Sequence, residues 1–559
     1  MTPRRLLPTL LAPCALLTLA ALPLPLRAQA APKRTPAAPT AQAAKLVQAA
    51  DSDVVRGHLT FLADDLLEGR APGTRGGELA AKYIAAQFIR LGLVPAGDSG
   101  TYYHRVPIVS LTPAPTLALG GRPLAFKKDF VLWSMRDEPE VRTAGELVFV
   151  GFGIVAPEYR WNDYAGTDVK GKTVVVLVND PGFVDSTLFK GRTLTYYGRW
   201  TYKLEEAARQ GAAAVLLVHT TETASYGWGT VVGSWTGPQV RVERPATSLV
   251  AAGWLTDSVA TRLLSPVAPT LAGVMRKAVT RGFRAVPLAT PATLAVTSTL
   301  RRSSTANVIA RWPGRGAHAD EAVLLGAHYD HLGISQPVDG DSIYNGAVDN
   351  ASGTAAMLAA AEAFVRSGVR PGRSILFTAF GAEESGLLGS TALAARFPLP
   401  LARLAAVLNL DEMNLFGRTR DISALGLDQS TLGTVFERAA QAEGLRITVD
   451  REALANGSFF RSDHFPFARA GVPALSLGTG TDFVGRPAGW GKQQIDEYGE
   501  KRYHQPGDEL LPWYSYGGAM QQLRTVLRTA VAVADAPTQP TWLQGSEFRE
   551  AGEQRVAGK

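Results

Sequence analysis

Ala322-Val323-Leu324-Leu325-Gly326-Ala327 is an uncharged run that ends in His328-Tyr329-Asp330-His331. A short apolar run stopped by polar residues reads as a strand buried on both faces. The pattern returns twice: Ser374-Ile375-Leu376-Phe377-Thr378-Ala379-Phe380 leads to Glu383-Glu384, and Ala405-Ala406-Val407-Leu408-Asn409-Leu410 leads to Asp411. Between these runs, residues 352–366 and 386–395 carry apolar residues at helical spacing. Strands alternating with amphipathic helices predict an α/β fold, a mostly parallel mixed sheet flanked by helices. In such a sheet ligands bind beyond the carboxyl ends of the strands, so His328, the pair Glu383-Glu384 and Asp411 place metal-ligand residue types at three strand ends. Asp349, in Asn345-Gly346-Ala347-Val348-Asp349-Asn350-Ala351-Ser352-Gly353, precedes the long Ala-rich helix. An acid there is also an ordinary helix cap, but three neighbouring strand-end sites favour the ligand reading.

Working outward, a chain of 559 residues exceeds one ordinary core. Residues 53–93 predict two helices around Gly69-Arg70-Ala71-Pro72-Gly73, and a helix at about 517–533 closes the domain. Residues 146–150, 172–178 and 213–218 read as strands and 203–209 as a helix, in a stretch without a cluster of His, Asp and Glu. The expected division is a signal over 1–30, a flexible leader over 31–45 and a catalytic domain in two parts, 46–129 and 286–537. A smaller mixed α/β domain is inserted at 130–285, and a loose polar tail follows at 538–559.

Residues 1–30 combine Arg4 and Arg5, an apolar run from Leu6 to Leu26 and the small-residue site Ala28-Gln29-Ala30. That is the layout of a cleaved secretory signal, so the protein is expected to be exported, to the periplasm or outside, with no stable membrane insertion afterwards. Pro8, Pro13, Pro23 and Pro25 interrupt the run and argue against an anchor. Cys14, the single cysteine, lies inside it, which leaves no internal disulfide and no thiolate for a metal. The formal charge of +7, spread over this length, argues against a nucleic-acid partner.

Five motifs in order, GAHYDH, YNGAVDNASG, AFGAEESGLLGS, NLDEM and YHQPGD, resemble those of the dizinc aminopeptidase and glutamate-carboxypeptidase family of co-catalytic zinc metallopeptidases. The likeness covers roughly 50–130 and 290–535, and the inserted stretch resembles a protease-associated domain. The resemblance implies two Zn2+ per chain: Asp349 bridging, Glu384 and His504 completing one site, His328 and Asp411 the other. It implies Glu383 as general base toward a metal-bridging hydroxide, Tyr503 as donor to the tetrahedral oxyanion, and a cis peptide between Asp349 and Asn350. Tyr503 also reads as an aromatic core residue. Asp330 is expected to accept the free N–H of His328, and Asp508 to do the same for His504 or to cap a helix. His331 reads as having no partner at metal spacing, His464 as shaping the substrate pocket, and His58, His104, His219 and His318 as ordinary.

The implied activity is exopeptidase, with an aminopeptidase taking peptide N-termini as the leading form. A carboxypeptidase or dipeptidase would need a basic side chain for the substrate carboxylate, for which Arg461 and Arg486 are candidates. A receptor-like binding ectodomain without catalysis is the reading of a different class. The motifs leave the oligomeric state open.

Overall fold

A computed structural model describes residues 41–243 and 248–558. The signal expected over 1–30, and the leader as far as residue 40, fall outside the described residues. From 41 the chain is ordered earlier than expected: Ala41–Gln48 is a helix that buries Ala43 and Leu46 against the helix Gly517–Ala534. Two apolar side chains on one helical face are enough to dock a polar, Ala-rich segment.

Asp51 and Thr74 accept backbone N–H bonds at the starts of Ser52–Leu62 and Arg75–Arg90, the two helices read from the sequence. The turn between them, Asp65–Arg70, has positive φ at Glu68, Gly69 and Arg70. A Cβ at Gly69 would stand 2.4 Å from the carbonyl oxygen of Tyr344, so the turn presses on the loop that precedes Asp349.

In the part that follows residue 303 the strands lie in the order Asp421–Leu425, Ala474–Gly478, Leu404–Asn409, Ala322–His328, Ser374–Phe380. The last four of these are mutually parallel, and the flanking pairings are antiparallel. Register places His328 beside Phe380 and Gly326 beside Asn409, so the three strands end level. That alignment brings His328, Glu383-Glu384 and Asp411 to one edge. Helix Gly353–Ser367 is buried along almost its whole length on one sheet face, where small alanines let it approach closely. A second cluster, including Leu393, Phe465 and Phe467, covers the other face.

The 27-residue strand Val286–Trp312 joins the two parts of the protein. Its end pairs with Ser374–Phe380, its middle with Tyr103–Leu119 and its start with Glu140–Phe149. Beyond it the sheet continues through Thr173–Leu177, Ala214–Val218 and Ala251–Leu255, all parallel, to the antiparallel edge Phe130–Ser134. This inserted sheet has its own apolar cluster on each face. Its loop 179–199 crosses to the C-terminal sheet: Leu194 N–H donates to the Leu454 carbonyl and the Tyr196 ring lies 4.9 Å from that of Phe465.

The C-terminal segment, expected to be loose, is docked. Trp542 and Phe548 are buried, the Trp542 indole donates to the Gly471 carbonyl at 3.0 Å, and Arg555 of helix Arg549–Val556 reaches the same carbonyl. Two aromatic rings outweigh the polar composition around them. Among the described residues, no helix is long and apolar enough to cross a membrane.

Candidate metal centre

Beyond the level strand ends, five side chains converge in two sets that share Asp349. His328 Nε2 stands 3.2 Å from Asp349 Oδ1 and 3.2 Å from Asp411 Oδ1. His504 Nε2 stands 3.2 Å from Asp349 Oδ2 and 3.2 Å from Glu384 Oε2. Two donors each about 2.0–2.1 Å from one zinc at a near-tetrahedral angle are about 3.3 Å apart. The four separations therefore fit two ions, one in each set, with Asp349 offering one oxygen to each.

The backbone that carries Asp349 is tightly held. The Asp349–Asn350 peptide is cis. Asn350 Nδ2 donates to the Leu410 carbonyl at 2.9 Å, and its Oδ1 accepts the N–H groups of Gly353 and Glu412, which ties the Asp349 loop to the Asp411 loop. Asp508 accepts the N–H groups of Val348 and Asp349 at 3.0 and 3.1 Å and the Tyr498 hydroxyl at 3.2 Å. It thus holds the backbone of Asp349 rather than the His504 ring. Asp330 differs from expectation in the same way: its backbone carbonyl, at 3.1 Å, takes the His328 Nδ1–H, while its carboxylate, 4.0 Å away, accepts the N–H groups of Glu383 and Glu384. Asp411 accepts a short hydrogen bond from Ser462, whose oxygen is itself held by Asn409.

Arg70 was read only as part of a turn, yet its guanidinium is fully buried under this site. It donates to the carbonyls of Leu62, Tyr329, Asn345 and Gly346 at 2.5 to 3.0 Å, binding the His328 loop to the Asp349 loop. His331, expected to have no partner at metal spacing, stands beside Asp349 and Glu384. Its Nδ1 lies 2.6 Å from Glu384 Oε1, with the ring fully buried. A distance along the chain carries no trace of either contact. Glu412 is a third omission: it stands among Asp349, Asp411 and Asp508, and its position next to Asp411 was the available signal.

The centre is crowded with acids, and their proton affinities show it. Burial pushes the Glu383 carboxyl well up, and Glu384, Asp463 and Asp411 add to the push against His328. Asp330 and Asp508 are each raised to about 6, chiefly by burial. Asp463 is raised to about 8, by burial and by Asp330 and Asp411. In the opposite sense, and against burial, His328 and His504 hold Asp349 well below the carboxylate range, while His504 and His331 hold Glu384 at about 2. Cations placed among these groups would relieve the repulsion.

Tyr503 is not a core residue. It is 40 % exposed, and its ring stacks on His504 at 3.9 Å between centroids. His464, expected to shape the pocket, is fully buried in an aromatic core, edge-on to Phe459 at 4.6 Å. Arg461 donates to the Asn456 carbonyl at 2.8 Å, and Arg486 lies over the Trp490 ring.

Residues 307–527 match the model of Peptidase family M28. The chain is 30% identical over 208 residues to leupeptin-inactivating enzyme 1 of Streptomyces exfoliatus, covering 36% of this chain and 43% of that one. It is 32% identical over 192 residues to aminopeptidase YwaD of Bacillus subtilis, covering 34% of this chain and 36% of that one. The matches thus span less than half the length of these two curated relatives. Among solved structures, an aminopeptidase from Aneurinibacillus sp. strain AM-1 is similar at 22% identity and a TM-score of 0.48, covering 89% of this chain and 97% of that one.

Proposed function

From the match of residues 307–527 to Peptidase family M28, we propose that the protein is a zinc exopeptidase with two ions per chain, acting as an aminopeptidase on peptide N-termini. The observation that carries this reading is the pair of donor sets around Asp349, each with its nitrogen and oxygens 3.2 Å apart. His328, Asp349 and Asp411 would hold one zinc, and Asp349, Glu384 and His504 the other. Zinc in these places supplies a Lewis acid that polarises the scissile carbonyl and lowers the pKa of water toward neutrality.

The chain's own residues complete the chemistry. Glu383, within 4.8 Å of the donor atoms of His328 and Glu384, takes the proton of the attacking water and returns it to the leaving amine. Tyr503, held against His504, donates to the oxygen that becomes negative in the tetrahedral intermediate. Glu412 has no side-chain hydrogen bond among the described residues and receives the substrate's α-ammonium. A centre so rich in carboxylates favours a cationic chain end over an anionic one.

A short peptide with a free carboxyl end is the second reading, and one observation favours it. Arg199, in the loop that crosses from the inserted part, has an Nε sealed from solvent without an acceptor among the described residues, and burial first, then nearby Arg461, depress its proton affinity. Two neighbouring guanidiniums with no carboxylate in ion-pair distance among the described residues suit a substrate carboxylate. Leucine p-nitroanilide, tripeptides and tripeptide amides compared as substrates separate the readings: loss of the terminal carboxyl costs an aminopeptidase little and a dipeptidase nearly everything.

The test of the reading as a whole is Glu383→Gln. It is expected to keep two zinc ions per chain and lose about 10²–10⁴-fold in kcat; near-normal turnover removes Glu383 from the mechanism. Export through the N-terminal segment belongs to the same proposal and is checked by the mass of the protein recovered outside the cytoplasm.

A further inference from the structure

Glu384 has two carboxylate oxygens in different surroundings. Oε2 faces His504 and, with Asp349, makes one donor set, whereas Oε1 lies 2.6 Å from His331 Nδ1. The two separations mean different things. Donors that share a zinc stand about 3.3 Å apart, but 2.6 Å is the distance of a short charge-assisted hydrogen bond. An ionised carboxylate only accepts, so the ring proton is on Nδ1. Nε2 is sealed and meets no partner among the described residues, in keeping with that tautomer.

The ring has little freedom to do anything else. A Cβ at Gly346 would come within 2.5 Å of His331 Cγ, and the carbonyls of Asn345 and Gly346 are held by Arg70. On another side the His504 ring crosses at 5.6 Å and 69°. Backbone and imidazole thus fix His331 in the one orientation that offers Nδ1–H to Oε1.

We infer that His331 is a positioning residue that ties up Oε1 and so makes Glu384 a one-oxygen ligand. Without that hydrogen bond both oxygens are free to turn to the same ion, and Oε2 loses its fixed aim. The coordination position that a second oxygen would occupy stays open for substrate or water. Hydrogen bonds behind a ligand typically change metal affinity about 10–100-fold.

This inference rests on the two-ion reading above, and the experiment separates the two. Zinc binding to the metal-free protein is titrated against a chromogenic chelator for the wild type, His331→Leu and His331→Asn, with no substrate present. The Leu variant loses the donor, and the Asn variant keeps an N–H near the place of Nδ1. The expected result is two ions on the wild type, one of them bound about 10–100-fold more weakly in the Leu variant and restored to within about threefold in the Asn variant. Binding of the other ion, at His328 and Asp411, serves as the internal control and is expected to hold. A wild type that binds fewer than two ions defeats the two-ion reading itself. A wild type with two ions and a Leu variant of equal affinity overturns the role of His331, and so does an Asn variant as weak as the Leu one, since ring packing alone then matters. Should the Leu variant not fold, His331→Phe, which keeps a ring and loses the donor, takes its place under the same two criteria.

Discussion

Removing zinc should make the stability of this protein depend on pH in a way that zinc abolishes. Asp330 and Asp508 are raised to about 6 from 3.8, each chiefly by burial. A carboxyl raised on folding gives stability that is full below its unfolded pKa and is lost as pH rises through its folded one. Between pH 5 and pH 7 each of these two groups therefore removes about 1.3 kcal/mol from the metal-free protein, or about 2 to 3 kcal/mol for the pair. Histidines buried elsewhere act oppositely: burial depresses His58 to about 4 and His464 to about 3, so their penalty fades as pH rises. They are present with and without zinc, and the difference between the two forms cancels them. The assay is thermal melting of chelated and zinc-saturated protein at pH 5, 6 and 7. At about 2–4 °C per kcal/mol for domains of 150–250 residues, and less for a larger chain, the Tm gain from zinc should widen by several degrees across that range. A gain that is constant or narrows with pH refutes the claim that cations relieve carboxylate crowding here.

Tyr503→Phe should lower kcat about 10²-fold or more with little change in KM, as loss of one oxyanion donor does; an unchanged kcat assigns the ring to stacking on His504 alone. Arg70→Met strands four buried carbonyls and should cost about 3 kcal/mol or more in urea unfolding of the zinc-free protein, and Arg70→Lys should recover little, because one ammonium cannot span all four acceptors. Trp542→Ala should destabilise by about 3 to 5 kcal/mol if the C-terminal segment is part of the core, and a change under about 0.5 kcal/mol would mark that docking as incidental.

The strands that set the centre were legible because a parallel strand covered on both faces must be largely apolar, and 322–327 and 374–380 are uncharged and mostly apolar. The strands that unite the two parts of the protein were not. Tyr103–Leu119 contains Pro107, Pro113 and Pro115, and Val286–Trp312 contains Pro287 and Pro291, residues that argue against a strand when read locally. Their long mutual register, from Ala292 beside Leu119 to Val308 beside Tyr103, tolerates the missing donors, and no window of sequence contains that pairing. A similar gap separates ligand types from their supports. His, Asp and Glu after strands announce themselves, but Asp330 and Asp508 hold backbone N–H groups, and Arg70 holds carbonyls, across separations of tens to hundreds of residues.

The supports explain why the ligands can be so few and so exposed to their own repulsion. His504 is 37 % exposed for its side chain, on a residue with φ of 58°, and so relies on Asp349 and Glu384 to fix its ring. Those two acids are in turn fixed from behind, Asp349 through its backbone by Asp508 and Asn350, Glu384 through its second oxygen by His331. Rigid acids cannot move apart when they ionise, so their repulsion stays in the site until a cation arrives. The same surplus of negative charge acts on whatever enters next. On the proposed reading a peptide that presents its ammonium end would be drawn in, and one that presents its carboxylate repelled unless guanidiniums such as Arg199 and Arg461 meet it. Raising ionic strength should therefore weaken KM for an amine-first substrate while leaving kcat nearly unchanged, and a KM indifferent to salt would mean that the acids serve the ions alone.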